Sequence, residues 1–170
     1  MDTKQNMQVS ETEREFLLES NKIEDVFDEE SLGQAIKAWQ YLSSQEELTT
    51  SVILETHRIL MLFQPLELHE KGHFRVVPVW VGGREGIEWR EIEDAINAWI
   101  LDAQTSIKVP GENGEHIKLD HISFERIHPM IDGNGRLGRL LFLWQHVKVG
   151  LPIKIIYAKD RQNYYQWFRE

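Results

Sequence analysis

The chain has 170 residues, a length typical of a single domain with its own hydrophobic core. A formal charge of −9 at neutral pH argues against nucleic acid or a membrane surface as the partner, and the lack of cysteine excludes disulfides and thiolate metal sites. The N-terminal residues have no apolar signal-peptide core and no run reaches membrane-spanning length, so we expect a cytoplasmic protein.

Helical patterns dominate the first third of the chain. Ser10 and Glu13 have the spacing of a capping box, which predicts that a helix begins here. Ser31 is the predicted N-cap of a second helix. A third helix is predicted from about Thr50, and Pro65 marks its end because proline lacks the backbone N–H that a helix interior needs.

The pattern then changes. Residues 74–81 read Phe-Arg-Val-Val-Pro-Val-Trp-Val and are followed by two glycines, which predicts a strand and a turn. Pro78 marks this strand as an edge strand, since it cannot donate to a neighbour on both sides. Helical spacing returns from Ile87 to Leu101.

The remaining segments are a loop at 110–114, a helix that includes 120–127, a helix after residue 134 and a short helix from about Asp160. Four histidines have no partner motif and are interpreted as surface or core residues: His57, His116, His121 and His146.

The densest group of reactive side chains is at 128–139, His-Pro-Met-Ile-Asp-Gly-Asn-Gly-Arg-Leu-Gly-Arg. A glycine turn before a helix directs free backbone N–H groups at one point, which suits a phosphate. Arg136 and Arg139 are expected on one face of an amphipathic helix. Asp132 is predicted to hold Mg²⁺, and His128 to act as a general base. The segment therefore predicts a nucleotide phosphate site with a proton acceptor at its edge.

This segment differs from a Walker A loop, which needs Gly-Lys-Ser/Thr, and from a Rossmann fingerprint, which follows a strand. It resembles the Fic signature, His-x-Phe-x-(Asp/Glu)-Gly-Asn-Gly-Arg-x-x-Arg. Every specified position matches except Met130, where the family usually has Phe; both are apolar, so the difference concerns packing more than chemistry. The resemblance implies one Fic domain over residues 1–170, with an all-α core and a small β-hairpin.

The resemblance also implies a function, protein AMPylation: transfer of AMP from ATP to a Ser, Thr or Tyr hydroxyl of a target protein. His128 would be the catalytic base, and Asp132 would hold Mg²⁺ across the phosphates. Backbone N–H groups and the Asn134 amide would contact the phosphates. The implied nucleotide-binding residues of the signature and the C-terminal helix are Asp132, Gly133, Asn134, Gly135, Arg136, Leu137, Gly138, Arg139, Tyr164 and Tyr165.

The stretch 72–87 resembles the flap, a hairpin that in Fic proteins aligns the target segment by strand addition. The alternative is a plain structural hairpin. Four hairpin residues are also expected to touch the nucleotide: Val81, Gly82, Gly83 and Arg84.

Ser20-Asn-Lys-Ile-Glu24-Asp25 resembles the inhibitory motif of the family, Ser/Thr-x-x-x-Glu-Gly/Asn. In the family this Glu pairs with the second signature arginine, here Arg139, and blocks the ATP γ-phosphate. The resemblance implies that 10–27 is an inhibitory segment, with Ser20 and Glu24 as inhibitory residues. Asp25 departs from the motif, and the alternative is an ordinary helix end.

Three functional alternatives stay open: removal of AMP supported by Glu24, transfer of another phosphate-linked group, and a non-catalytic module that binds a partner through the flap. The kinase-like branch of the family has Lys where this chain has Gly135, which favours AMP transfer. The expected partners are ATP and a protein target, without nucleic acid or membrane, and the sequence leaves the oligomeric state open.

Overall fold

The computed structural model of the chain describes residues 8–108 and 113–169, with the side chain of residue 113 left out. This part of the chain is helical apart from one small hairpin, so the predicted all-α class is confirmed. The elements are α1 Glu11–Ile23, α2 Glu29–Ser43, α3 Thr50–Leu60, β1 Trp80–Val81, β2 Arg84–Glu85, α4 Ile92–Ser106, α5 Asn113–Ile127, α6 Asn134–Lys148 and α7 Arg161–Tyr165. No helix in the described ranges combines the length and apolarity needed to cross a membrane.

The helix starts follow local side-chain chemistry. The capping box of α1 is confirmed: the Glu13 backbone N–H donates to Ser10 Oγ over 3.2 Å, and the Ser10 N–H donates to Glu13 Oε2 over 2.7 Å. The predicted cap of α2 is wrong. Asp28 caps this helix by accepting from the Ser31 N–H over 2.7 Å, because Ser31 already lies inside the first turn.

The predicted amphipathic character of α6 is wrong, because this helix runs through the centre of the molecule. It contacts α1, α2, α3 and α5, and its apolar side chains belong to the main hydrophobic core. Arg136 and Arg139 are only 5% and 1% exposed. A helix that is buried on all sides needs a specific reason to carry two cations, since a buried charge is costly without partners.

The predicted strand over 74–81 is wrong for most of its length. Only Trp80–Val81 pairs with Arg84–Glu85, in antiparallel register. Gly82 and Gly83 between them have positive φ, as a tight hairpin turn requires. Before Trp80 the backbone is irregular, and the Val77 carbonyl accepts from the side chain of Arg75 rather than from a second strand.

The predicted loop at 110–114 lies partly outside the described residues, and Asn113 and Gly114 belong to the start of α5. The two long helices that flank the signature are confirmed: α5 ends at Ile127 and α6 begins at Asn134. The short C-terminal helix is also confirmed, as α7. The signature therefore spans the turn between two packed helices and the start of α6, and the hairpin projects from the segment between α3 and α4.

Candidate active site

The turn between α5 and α6 depends on Gly133. This residue is the N-cap of α6 and has a left-handed backbone, with φ of 79°, a conformation that favours glycine. A Cβ here would also lie 2.6 Å from the Met61 sulfur. Backbone conformation and space therefore both require glycine, and the turn leaves the first N–H groups of α6 without helical partners.

A buried histidine that the sequence analysis left without a role supports this turn. His57 accepts a hydrogen bond at Nδ1 from the Gly72 N–H over 2.9 Å. Its Nε2 therefore carries the proton and donates to the Asp132 carbonyl over 2.9 Å. Burial lowers the pKa of His57, which keeps the ring neutral and both bonds intact. No sequence signal links His57 to Asp132, which lies 75 residues away.

The side chain of Asn134 bonds to the backbone of the turn. Its Oδ1 accepts from the Met130 N–H over 2.8 Å, and its Nδ2 donates to the Met130 carbonyl over 3.0 Å. Both ends of the amide are thus used to close the turn on itself. One N–H of the amide is used in this turn, and contact between Asn134 and phosphate stays a prediction.

A cavity of about 360 Å³ lies beside this turn. It brings together the predicted base, the predicted Mg²⁺ ligand, the glycine turn and the first signature arginine, together with the end of α1 and the segment after α3. The lining residues are Glu24, Val26, Gln64, Pro65, His128, Ile131, Asp132, Gly133, Asn134, Gly135 and Arg136.

His128 lies just beyond the end of α5 and has a left-handed backbone, with φ of 49°. Its N–H still donates to the Phe124 carbonyl over 3.0 Å, so a rigid helix carries the ring to the cavity. Burial lowers the pKa of His128; the Glu125 carbonyl opposes this shift and the charge of Arg75 adds to it. A lowered pKa leaves the ring neutral and able to accept a proton at neutral pH.

Arg136 presents a buried cation to the cavity. Its Nε has no hydrogen-bond partner among the described residues, and burial lowers its pKa. A buried donor without an acceptor costs about 1–3 kcal/mol. An anion in the cavity would supply the missing acceptor, which makes Arg136 the clearest sign of a ligand in this part of the structure.

Arg139, in contrast, has all three of its guanidinium nitrogens bonded to the protein. Its Nε donates to Ser20 Oγ over 2.9 Å, and its Nη2 donates to the Ser20 carbonyl over 3.0 Å. Nη2 also forms an ion pair with Glu24 Oε1 at 2.7 Å, and Nη1 donates to the Tyr164 hydroxyl over 3.3 Å. Burial disfavours the charged form, but Tyr164 and Glu24 outweigh it and raise the pKa of Arg139.

Gly135 makes the contact between Glu24 and α6 possible. A Cβ at Gly135 would overlap Glu24 Oε1 and would come within 3.1 Å of Arg139 Nη1. The carboxylate therefore lies directly against the backbone of the first turn of α6. Ser20 lies in α1, and Glu24 is the C-cap one helical turn later. Both side chains bond to the guanidinium of Arg139.

Two signature residues face the interior instead of the cavity. Leu137 is fully buried in the core, and a Cβ on Gly138 would meet the side chains of Glu125 and Phe124. Burial raises the pKa of Glu125 to about 7. These positions therefore contribute packing between α5 and α6.

The remaining predicted residues surround this site at greater distance. Tyr164 is buried beneath Arg139 and hydrogen-bonds to His121 over 2.8 Å, and Tyr165 packs on Tyr164 with ring centroids 5.6 Å apart. Burial lowers the pKa of His121 to about 3, so its ring is neutral at neutral pH. The hairpin residues Val81, Gly82, Gly83 and Arg84 are exposed and lie outside the cavity lining.

Fold and site together define a helical domain in which a histidine, a glycine turn and a buried arginine meet at one cavity. The family model described as the Fic/DOC family matches residues 47–145, more than half of the chain. The chain belongs to this family.

Among curated relatives, the chain is 32% identical over 133 residues to "Protein adenylyltransferase Fic" of Nematostella vectensis, covering 76% of this chain and 30% of the relative. It is 33% identical over 131 residues to the protein of the same name from Drosophila willistoni, covering 72% of this chain and 24% of the relative. The chain thus spans less than a third of the length of these relatives.

Solved structures agree in fold. A Fic domain-containing signaling protein from Bacteroides thetaiotaomicron superposes with a TM-score of 0.74 at 22% identity, covering 90% of this chain and 69% of that chain. Fic-1 from C. elegans superposes with a TM-score of 0.68 at 19% identity, covering 92% and 54%. At these identities the superpositions establish the fold alone.

Proposed function

We propose that this chain transfers AMP from ATP to a Ser, Thr or Tyr hydroxyl of a protein target. The observation that carries the proposal is the shared cavity, in which His128 faces the N-terminus of α6 and the unsatisfied Arg136. The printed name of the curated relatives, protein adenylyltransferase, supports the same reaction class.

In the proposed reaction, neutral His128 removes the proton from the target hydroxyl. The oxygen forms a bond to the α-phosphorus, the bond between the α-phosphorus and the bridging oxygen breaks, and pyrophosphate leaves. The backbone N–H groups at the start of α6 hold the phosphates, as helix N-termini do for anions. Arg136 adds the opposing charge, which stabilises the negative charge that develops on the transferred group.

The residues present fit a magnesium ion. The carboxylate of Asp132 lines the cavity and is exposed, with Oδ1 accepting from the Gly133 N–H over 2.7 Å. Magnesium is usually held by one or two carboxylates together with substrate phosphates and water, so a single carboxylate suffices here. Held by Asp132, the ion would neutralise charge on the phosphates as pyrophosphate departs.

We further propose that residues 10–27 act as an inhibitory segment within the same domain. Ser20 and Glu24 occupy the donors of Arg139 that a γ-phosphate would need. Charge-assisted pairs of this kind compete directly, because a carboxylate and a phosphate use the same fork of the guanidinium. ATP would then bind with its γ-phosphate displaced and its α-phosphate out of line for attack.

Removal of AMP is the second candidate function. Glu24 and His128 line the same cavity. A water oriented by Glu24 would attack the phosphorus of the AMP-modified side chain, the bond between phosphorus and the side-chain oxygen would break, and a proton from the water would pass to that oxygen, which gives AMP and the free hydroxyl. A pure binding module is less well supported, because binding alone gives no reason for a neutral histidine beside an unsatisfied arginine.

The decisive test compares ATP labelled at the α-phosphate with ATP labelled at the γ-phosphate, each incubated with the protein, Mg²⁺ and a cell lysate. We expect α-label, and not γ-label, to become attached to protein. Attached γ-label would identify phosphate transfer instead. No attached label in wild type or in a Glu24→Gly variant would contradict the proposed function.

The proposed target site is the flap hairpin, which carries exposed Trp80 and Val81. Deleting residues 81–84 should reduce modification of protein targets by about tenfold or more, because an extended peptide loses its pairing strand. ATP affinity, measured by titration calorimetry, should change by less than about threefold. An equal loss of both would assign these residues to the nucleotide, and Leu119→Ala, an exposed apolar change on α5, is the matched control.

A further inference from the structure

Arg75 is a buried cation, 3% exposed, with no carboxylate in ion-pair contact in the described part of the chain. Burial lowers its pKa, and the more distant charge of Glu88 opposes that shift. A buried charge persists only when its donors are satisfied. Here each of the three guanidinium nitrogens donates to backbone carbonyl oxygens, so these carbonyls are the groups that the side chain holds in place.

Two of these carbonyls are at the end of α5. Arg75 Nε donates to the His128 carbonyl over 2.8 Å, and Nη2 donates to the Ile127 carbonyl over 3.4 Å. The Arg75 N–H also donates to the Pro129 carbonyl over 2.9 Å. The last carbonyls of a helix lack helical partners and attract cations. The left-handed backbone of His128 costs about 1–2 kcal/mol in isolation, so these bonds oppose its relaxation.

The other two carbonyls belong to the two arms of the flap. Arg75 Nη1 donates to the Val77 carbonyl over 2.9 Å, and Nη2 donates to the Ile87 carbonyl over 2.8 Å. The Gly86 N–H closes the base of the hairpin by donating to the Val79 carbonyl over 2.8 Å. A Cβ on Gly86 would lie 3.0 Å from Arg75 Nη2, so glycine lets the second arm approach the guanidinium.

We propose that Arg75 is a positioning residue that fixes the backbone of His128 and both arms of the flap to one rigid guanidinium. This inference rests on the proposed function. The proton acceptor and the strand that aligns the target hydroxyl are then held at fixed positions relative to each other. Catalytic groups need placement within about 0.5 Å. Arg75 contacts neither the glycine turn nor Arg136, so its effect falls on the target side of the reaction and not on ATP.

The test uses Arg75→Lys, which keeps the charge but replaces a planar fork with a compact ammonium. In a Glu24→Gly background, which removes the proposed inhibition, we expect kcat for AMP transfer to fall by about tenfold, because misplacement of the reacting groups is costly. ATP affinity should stay within about threefold of wild type. Arg90→Lys, the same change in an exposed ion pair with Glu88, should leave kcat unchanged. A folded Arg75→Lys variant with the kcat of Glu24→Gly alone would overturn the proposal.

A second readout needs no transfer. The charge of Arg75 helps to lower the pKa of the His128 ring, so Arg75→Gln should raise that pKa, and Arg75→Lys should change it less. Titration of the ring by NMR measures this directly, and an unchanged pKa in Arg75→Gln would contradict contact between the two. If wild type and Glu24→Gly transfer no AMP, the proposed function fails while this titration still tests the placement of Arg75.

Gly86→Ala keeps the test valid if the Arg75 variants do not fold. The added methyl would displace the second flap arm from the guanidinium while Arg75 and the core remain intact. In the same Glu24→Gly background we expect a lower kcat with unchanged ATP affinity. An unchanged kcat in Gly86→Ala, with normal thermal unfolding, would show that the flap does not depend on this contact.

Discussion

Replacing His128 with alanine is expected to abolish AMP transfer while ATP still binds. The ring lies at the cavity beside the first turn of α6; its proposed role is to take the proton of the target hydroxyl, with no bond to phosphate. Loss of a general base typically costs about 10²–10⁴-fold in rate. In measurements on the same preparation of His128→Ala, label transfer should therefore be lost, while ATP affinity stays within about threefold of wild type.

Because His128 has a left-handed backbone, a second variant is needed that removes the ring without straining this conformation. Alanine tolerates the left-handed conformation poorly, whereas asparagine adopts it several times more often than most residues. His128→Asn removes the base and keeps the turn, so it should be as inactive as His128→Ala with better thermal stability. His116→Ala, an exposed histidine on α5, is the control. Near-normal transfer in His128→Asn would remove this residue from the mechanism.

Features of the fold that depend on neighbours in sequence were predictable. The capping box of α1 involves residues three apart, and the hairpin turn follows from two adjacent glycines with positive φ. The glycine turn before α6 belongs to the same class, because Gly133 must adopt a conformation that other residues avoid. In each case the chemistry that specifies the structure lies within one turn of the chain.

Features that depend on distant partners were not predictable. Nothing near Arg75 in sequence indicates that its side chain bonds to the carbonyls of Ile127 and His128, 52 and 53 residues away. His57 likewise finds Asp132 only through the fold. The amide of Asn134 has a local partner, Met130, but a Gly-Asn-Gly sequence does not tell whether the amide closes the turn or points outward.

Two predictions, the strand over 74–81 and the amphipathic α6, were wrong because local composition does not show what a segment packs against. A strand was predicted over 74–81 from β-branched composition, which describes a half-buried surface and not a backbone path; the carbonyl at Val77 is taken by Arg75 instead. An amphipathic α6 was predicted from apolar residues at helical spacing around the two signature arginines. Both are buried, since one faces the cavity and the other is satisfied by α1.

Replacing Glu24 with glycine is expected to raise AMP transfer by about tenfold or more. The carboxylate pairs with Arg139 at 2.7 Å, and its own side chain is 36% exposed, so its displacement should cost less than a fully buried pair. Charge-assisted hydrogen bonds contribute about 1.5–3 kcal/mol, of which the lower end corresponds to roughly tenfold in rate. Glu24 caps the end of α1, so glycine should be tolerated there.

Two variants separate the carboxylate from the anchoring of α1. Glu24→Gln keeps the shape of the side chain and removes the charge, so it should raise AMP transfer above wild type but less than Glu24→Gly does. Asp25→Asn breaks the neighbouring ion pair with Arg161, at 2.9 Å, but leaves Glu24 in place. Asp25 has a positive φ, which asparagine accepts. If inhibition depends on the carboxylate, Asp25→Asn should stay as inactive as wild type. Equal activation by Glu24→Gln and Asp25→Asn would indicate that loosening of α1 is sufficient.

Self-modification, detected by mass as added AMP, is the most direct readout for Glu24→Gly. The gain should disappear in a double variant that also carries His128→Asn, since release of Arg139 cannot replace the proton acceptor. A single variant no more active than wild type would mean that the pair between α1 and α6 is structural. Loss of an AMP-removing activity in Glu24→Gly, measured on a pre-modified target, would instead favour the second candidate function, because the same carboxylate would then be the group that orients the attacking water.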